Sequence, residues 1–143
     1  MSSSEHPQSI TDFDDVLEGR VPNGSVDYEG SESVEDLASR AGAAGWRLLA
    51  LDGSAIADKA SYLQAWCDAG AFPDTFGHNW DALADALTDL SWLHANGYVV
   101  LVELVFADEP WSATGREITE EACAYWAGNG TPFVVLQRSG SSV

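Results

Sequence analysis

The chain is poor in cations, in cysteine and in long apolar stretches, and each shortage narrows what it can be. Six Lys and Arg side chains stand against 23 Asp and Glu, giving a formal net charge of -17 over 143 residues. A surface of that sign repels phosphate backbones and anionic lipid headgroups. Neither nucleic acid nor a membrane is therefore an expected partner, whereas a cationic protein is. No run approaches the roughly 18 to 20 apolar residues of a membrane span. The opening MSSSEHPQS has neither the basic start nor the apolar stretch of an export signal. The expected location is the cytoplasm. The two cysteines, Cys67 and Cys123, lie far apart with no Cys-x-x-Cys spacing, which speaks against zinc and redox motifs and for free, half-buried thiols. Glycine loops of the phosphate-cradling kinds are also missing, so no nucleotide cofactor is expected, nor any other cofactor or metal.

What the chain does have is apolar mass: 45% hydrophobic residues and six tryptophans, enough for one compact core. Residues 1–32 are rich in Ser, Gly, Asp and Glu, and their apolar residues follow no period, so they read as an acidic, largely disordered extension. Residues 33–45 read as a short helix and linker, with Ser33 as cap and Val34, Leu37, Ala38 and Ala41 at helical spacing before Gly42 and Gly45. Trp46 to Leu51 is an apolar run closed by Asp52-Gly53, a predicted strand. Asp58 caps a predicted helix with Tyr62, Leu63 and Trp66 on one face, for which Gly70 supplies a left-handed exit. Asn79 caps a second, in which Trp80, Leu83, Ala84, Leu87 and Leu90 recur at steps of three and four. Tyr98 to Phe106 is nearly all apolar and valine-rich, the pattern of a strand covered on both faces. A helix from about Thr114 to Ala127 and a strand from Phe133 to Gln137 complete the set, followed by a flexible tail at 139–143. Strands alternating with helices predict an α/β fold with a small parallel sheet.

On the second of these helices, at about 100° per residue, Asp81, Asp85 and Asp89 fall within an arc of roughly 80° opposite the apolar stripe. Like charges at i,i+4 repel by a few tenths of a kcal/mol, and only Asp81 is close enough to the N-terminus to gain from the helix dipole. The row does not serve the helix itself. It reads either as an ordinary solvated face or as a rigid set of negative oxygens standing in for the phosphates of RNA, offered to arginine, lysine or histidine donors of a partner. In the second reading Asp85, in mid-helix, is the carboxylate that inserts into a pocket.

The segment FPDTFGHNWDALADALTDL, from Phe72 to Leu90, resembles the signature loop and helix of the barstar family of ribonuclease inhibitors. The family pattern is met by Pro73, Phe76, Gly77, Asn79, Asp81-Ala82-Leu83 and Asp85-Ala86-Leu87-Thr88, and the order of elements from about Trp46 to Gln137 is similar too. The resemblance implies a barstar-like domain over residues 46–138 with a three-stranded parallel sheet. It implies a monomer when free, with no catalytic residues, that forms a 1:1 complex with a basic, extracellular, barnase-like, guanyl-preferring microbial ribonuclease and plugs its active site. On that resemblance the enzyme-binding residues are Thr75, Phe76, Gly77, Asn79, Trp80, Asp81, Ala84, Asp85, Thr88 and Asp89. Thr75 and Ala84 stand where the family's namesake has a tyrosine and a tryptophan, and Trp80 where it has a leucine. In the last helix Ala124 replaces a glutamate, with Glu120 and Glu121 about a turn earlier.

Two other readings are open to test. An acidic interaction module would use the same aspartates on a different cationic protein. An enzyme built on paired carboxylates, or on His78 with Asp81, would need an enclosed pocket around Asp81.

Overall fold

The computed structural model describes residues 9–104 and 109–139. The chain runs β1 (Ser9–Ile10), α1 (Phe13–Leu17), β2 (Gly24–Tyr28), α2 (Val34–Ala43), β3 (Trp46–Asp52), a 3-10 turn at Gly53–Ala55, α3 (Lys59–Gly70), α4 (Trp80–Leu87), β4 (Gly97–Leu104), α5 (Pro110–Gly128) and β5 (Phe133–Ser139). All strand pairs are parallel, in the order β1-β2-β5-β4-β3. The α/β class and the parallel sheet agree with the sequence reading. The end of the strand expected to reach Phe106, residues 1–8 of the expected extension and residues 140–143 of the expected tail lie outside the described residues, whereas Ser139, expected to open that tail, is the last residue of β5.

The number of strands does not agree: there are five, not three. The two extra strands come from the segment read as a disordered extension, since β2 pairs with β5 from Gly24↔Val134 to Asp27↔Gln137. Ile10, Phe13, Val16, Val21, Val26 and Tyr28 are all buried. Their spacing looked aperiodic because all but Val21, which lies in the α1–β2 loop, belong to elements of 2, 5 and 5 residues, each too short to establish a period. Asp12 caps α1 through its side chain, accepting from the Asp14 amide at 3.0 Å. Asn23 then fastens the segment to the rest of the chain: its amide donates to the carbonyls of Cys123 and Thr131, both at 3.1 Å, and accepts from the Phe133 N–H at 3.0 Å.

The central strand β4 is covered on both faces, as its composition predicts. Tyr98 and Val100 join Leu49, Leu51, Phe133 and Val135 under α3, α4 and α5, while Val99 and Leu101 join Val134 and Leu136 under α1 and α2. Period-2 alternation thus feeds two cores from one strand. Ser33 caps α2 as expected, accepting from the Asp36 amide at 3.0 Å, and Asp58 with Ser61 forms a capping box on α3.

The exit of α3 differs from expectation. The left-handed residue is Ala71, at φ 52°, and Gly70 remains helical. A side chain at Gly70 would meet the Phe72 ring and Leu49, so close packing is what requires glycine there. Helix α4 ends at Leu87, with Thr88 as its C-cap, so Asp89 lies in the closing turn and not on the helix. Leu90, expected on the helical stripe, is buried but left-handed at φ 50°.

Candidate functional site

The segment from Phe72 to Leu90 begins as a loop locked by its own aromatic rings. The Phe76 amide donates to the Pro73 carbonyl at 2.9 Å, closing a turn that leaves Thr75 exposed at its tip. The Phe76 ring packs edge-on to Phe72 at 4.9 Å, and the His78 ring lies 4.8 Å from Phe76. His78 is further held by Gln64 of α3, Nε2 to Oε1 at 3.1 Å, in a left-handed conformation at φ 53°. The next residue caps α4: Asn79 Oδ1 accepts from the Ala82 amide at 2.8 Å while its own amide donates to the Gly77 carbonyl at 3.3 Å. Such a cap contributes about 1 kcal/mol. It also fixes Gly77 and Asn79 at the surface, where both are exposed.

Helix α4 is seated by Leu83 and Leu87, neither of which is exposed at all. Each contributes about 1.5–3 kcal/mol on burial, against a few tenths lost to the repulsion of Asp81 and Asp85, so packing sets the helix and the carboxylates ride on it. At its far end the indole N–H of Trp126 in α5 donates to the Leu87 carbonyl at 2.7 Å. Thr88 Oγ1 donates to the Ala84 carbonyl at 3.0 Å. Asp81 and Asp85 are exposed, with Ala84 half-buried between them, and among the described residues no cation of the chain pairs with either. Asp89, in the turn, accepts from the Ser91 hydroxyl at 3.2 Å.

Of the predicted site residues, Thr75, Gly77, Asn79, Asp81 and Asp85 are exposed and Phe76, Trp80, Ala84 and Thr88 half-buried; Asp89 is exposed too, but beyond the end of the helix. Trp80 is half-buried: its ring lies 6.1 Å from Tyr62, and Lys59 Nζ sits 5.1 Å over it. Glu120, Glu121 and Ala124 are exposed on α5. Sequence reasoning missed Lys59, Gln64 and Trp126, which shape or hold this surface from other helices. Only Lys59 carried a signal, as the one lysine in the chain.

Asp81 is exposed and not enclosed, and His78 is committed to Phe76 and Gln64. Among the described residues no group of three or more His, Cys, Asp or Glu side chains is placed to hold a metal ion. Both cysteines are free, Cys67 half-buried and Cys123 buried. Burial pushes both thiols up, Cys123 to about 12, with Asp68 and Asp74 adding to the effect at Cys67 and Glu120 at Cys123, so neither is a thiolate near neutral pH. Among the described residues no helix is long and apolar enough to cross a membrane.

Fold and site together define a small parallel α/β domain that carries an acidic helix and its leading loop, with Asp81 and Asp85 exposed and paired with no cation among the described residues. A family model described as Barstar (barnase inhibitor) matches residues 46–138, and the chain belongs to that family. No curated protein matches the chain.

Proposed function

We propose that this protein is a stoichiometric inhibitor of a small, basic, barnase-like ribonuclease, held in the cytoplasm of the cell that secretes the enzyme. The observation that carries the reading is the pair Asp81 and Asp85, exposed on a well-seated helix and unpaired by any cation of the chain among the described residues. Two fixed carboxylates about one turn apart offer negative oxygens to the arginine, lysine and histidine donors of a phosphate-binding cleft, and the capped loop ahead of them reaches the enzyme backbone through Gly77 and Asn79. Because the loop is already anchored by Phe72, Phe76, His78 and Gln64, docking orders little that was free. Membership of a family of barnase inhibitors points the same way. The net charge of -17 acts at longer range by steering a basic enzyme toward this surface. An acidic module for some other cationic protein would use the same two aspartates, so identifying the partner separates the two readings.

The test is a titration of the full chain into guanyl-preferring microbial ribonucleases, following RNA cleavage, with Asp81→Ala/Asp85→Ala as control. The expected outcome is loss of activity at one inhibitor per enzyme that the double variant abolishes. If several such enzymes remained active, the ribonuclease reading would fail and the acidic module would take its place.

A further inference from the structure

Lys59 is the only lysine in the chain, and it occupies the first position of α3. Among the described residues no carboxylate of the chain pairs with it there. A cation at a helix N-terminus opposes the helix dipole. The cap is already made by Asp58, whose carboxylate accepts from the Ser61 amide at 2.9 Å and the Ser61 hydroxyl at 2.8 Å. Like Arg47 and Arg116, and unlike Arg20, Arg40 and Arg138, Lys59 forms no ion pair among the described residues.

What Lys59 does touch is the face of the Trp80 ring, at 5.1 Å, within the range of a cation–π contact. Trp80 packs on Tyr62, and Tyr62 on Trp111 at 5.5 Å, so the lysine is exposed on a fixed aromatic shelf at the N-terminal end of the acidic row. A side chain at Gly115 would come within 2.6 Å of the Tyr62 ring, so α5 is packed close behind the shelf.

We infer that Lys59, braced on Trp80, is a second contact of the docking surface, of opposite sign to Asp81 and Asp85, and that it pairs with a carboxylate at the rim of the partner's cationic cleft. The inference rests on the inhibitor reading of Asp81 and Asp85. It makes the surface bipolar. A basic protein without a carboxylate at that place leaves the ammonium facing like charge, so Lys59 selects among basic partners that the aspartates alone would accept.

Association and dissociation rates separate this role from the alternatives, using the full chain, the guanyl-preferring ribonuclease it inhibits most strongly, and the variants Lys59→Arg, Lys59→Met and Lys59→Glu. Pairing predicts dissociation roughly fivefold faster for Met and roughly tenfold or more for Glu, with Arg within about twofold of the natural chain. The Glu variant is the sharpest arm, because it makes the inhibitor more acidic toward a basic enzyme. If it bound as tightly as the natural chain, or more tightly through faster association, steering alone would be at work and the inference would be overturned. Equal losses for Met and Glu would also overturn it, since Lys59 would then only hold Trp80 in place. With Asp81→Ala/Asp85→Ala abolishing inhibition and every Lys59 variant behaving like the natural chain, this inference falls and the inhibitor reading stands. If the natural chain inhibited no such enzyme, both would fall.

Discussion

At the scale of single residues, Asp85 and Asp89 differ in setting although they are four apart in the chain. Asp85 projects from α4 with no internal partner among the described residues, whereas Asp89 lies beyond the C-cap and accepts from Ser91. A charge-assisted hydrogen bond formed in a desolvated pocket is worth roughly 1.5–3 kcal/mol, and a solvated rim pair about 1 or less. Asp85→Ala is therefore expected to weaken ribonuclease binding by about one to two orders of magnitude and Asp89→Ala by less than about fivefold. Inhibition constants for the two variants check this, and equal losses would rule out the proposed pose. The same scale explains Trp80. Its half-burial lets one ring serve the core through Tyr62 and the surface through Lys59, a double use that helical spacing alone does not reveal.

At the scale of elements, the loop from β2 to α2 is held by a chain of polar contacts. The Tyr28 hydroxyl donates to Glu32 at 2.7 Å and Arg40 to the same carboxylate at 3.1 Å. Arg138 of β5 donates to the carbonyls of Glu32 and Gly30 at 2.8 and 3.2 Å while pairing with Glu103 of β4. The Tyr28 hydrogen bond, aided by Arg40 and opposed by burial, holds the Glu32 carboxyl below the usual carboxylate range. A carboxylate whose value is depressed on folding stabilises the native state fully above its unfolded value, near 4.3, and loses that contribution as the pH falls through the folded value. Chemical denaturation midpoints should therefore drop as the pH is lowered from about 5 toward 3. Glu32→Gln should lower the midpoint at neutral pH and flatten part of that fall. Asp58, also lowered by its bonds to Ser61, titrates in the same sense, so comparison with the natural chain isolates Glu32. An unchanged acid profile in Glu32→Gln would remove this network from the account.

The elements legible in the sequence were those long enough to carry a period or strong enough in their caps. Ser33, Asp58 and Asn79 each cap the helix expected of them, and β4 alternates between two cores as its unbroken apolar run implies. The loop and helix from Phe72 were legible as a pattern, and the surface they form follows from it. What stayed hidden depends on contacts across the chain: Asn23 clamping residues a hundred positions away, Gln64 anchoring His78, and Arg138 reaching the β2–α2 loop. Short elements such as α1 and β2 have no period to detect, and their stability comes from the face they cover.

At the scale of the whole molecule, residues 9–45, which precede the family match, are structural. Residues 9–45 supply two strands and both helices that cover Val99, Leu101, Val134 and Leu136. Removing them would bare that apolar face and turn β5 into an edge strand. A chain beginning at Trp46 is therefore expected to aggregate or to lose cooperative unfolding, as read by size-exclusion chromatography and denaturation; a soluble, cooperatively folded monomer would show the segment to be dispensable. Truncation is for the same reason a poor probe of any steering by the acidic residues of this segment. Exchanging exposed Glu29, Glu35 and Asp36 for neutral residues leaves the strands in place and tests their effect on association rate.

The pairing of β2 with β5 also sets an order of events in time. Asp27 meets Gln137, 110 residues later in the chain, so the first strands to leave a ribosome wait for the last before the sheet can close. At roughly 5–20 residues per second that wait lasts from about 5 to 20 seconds. During it the helix bearing Asp81 and Asp85 is already made, but the strand that completes both cores beneath and behind it is not.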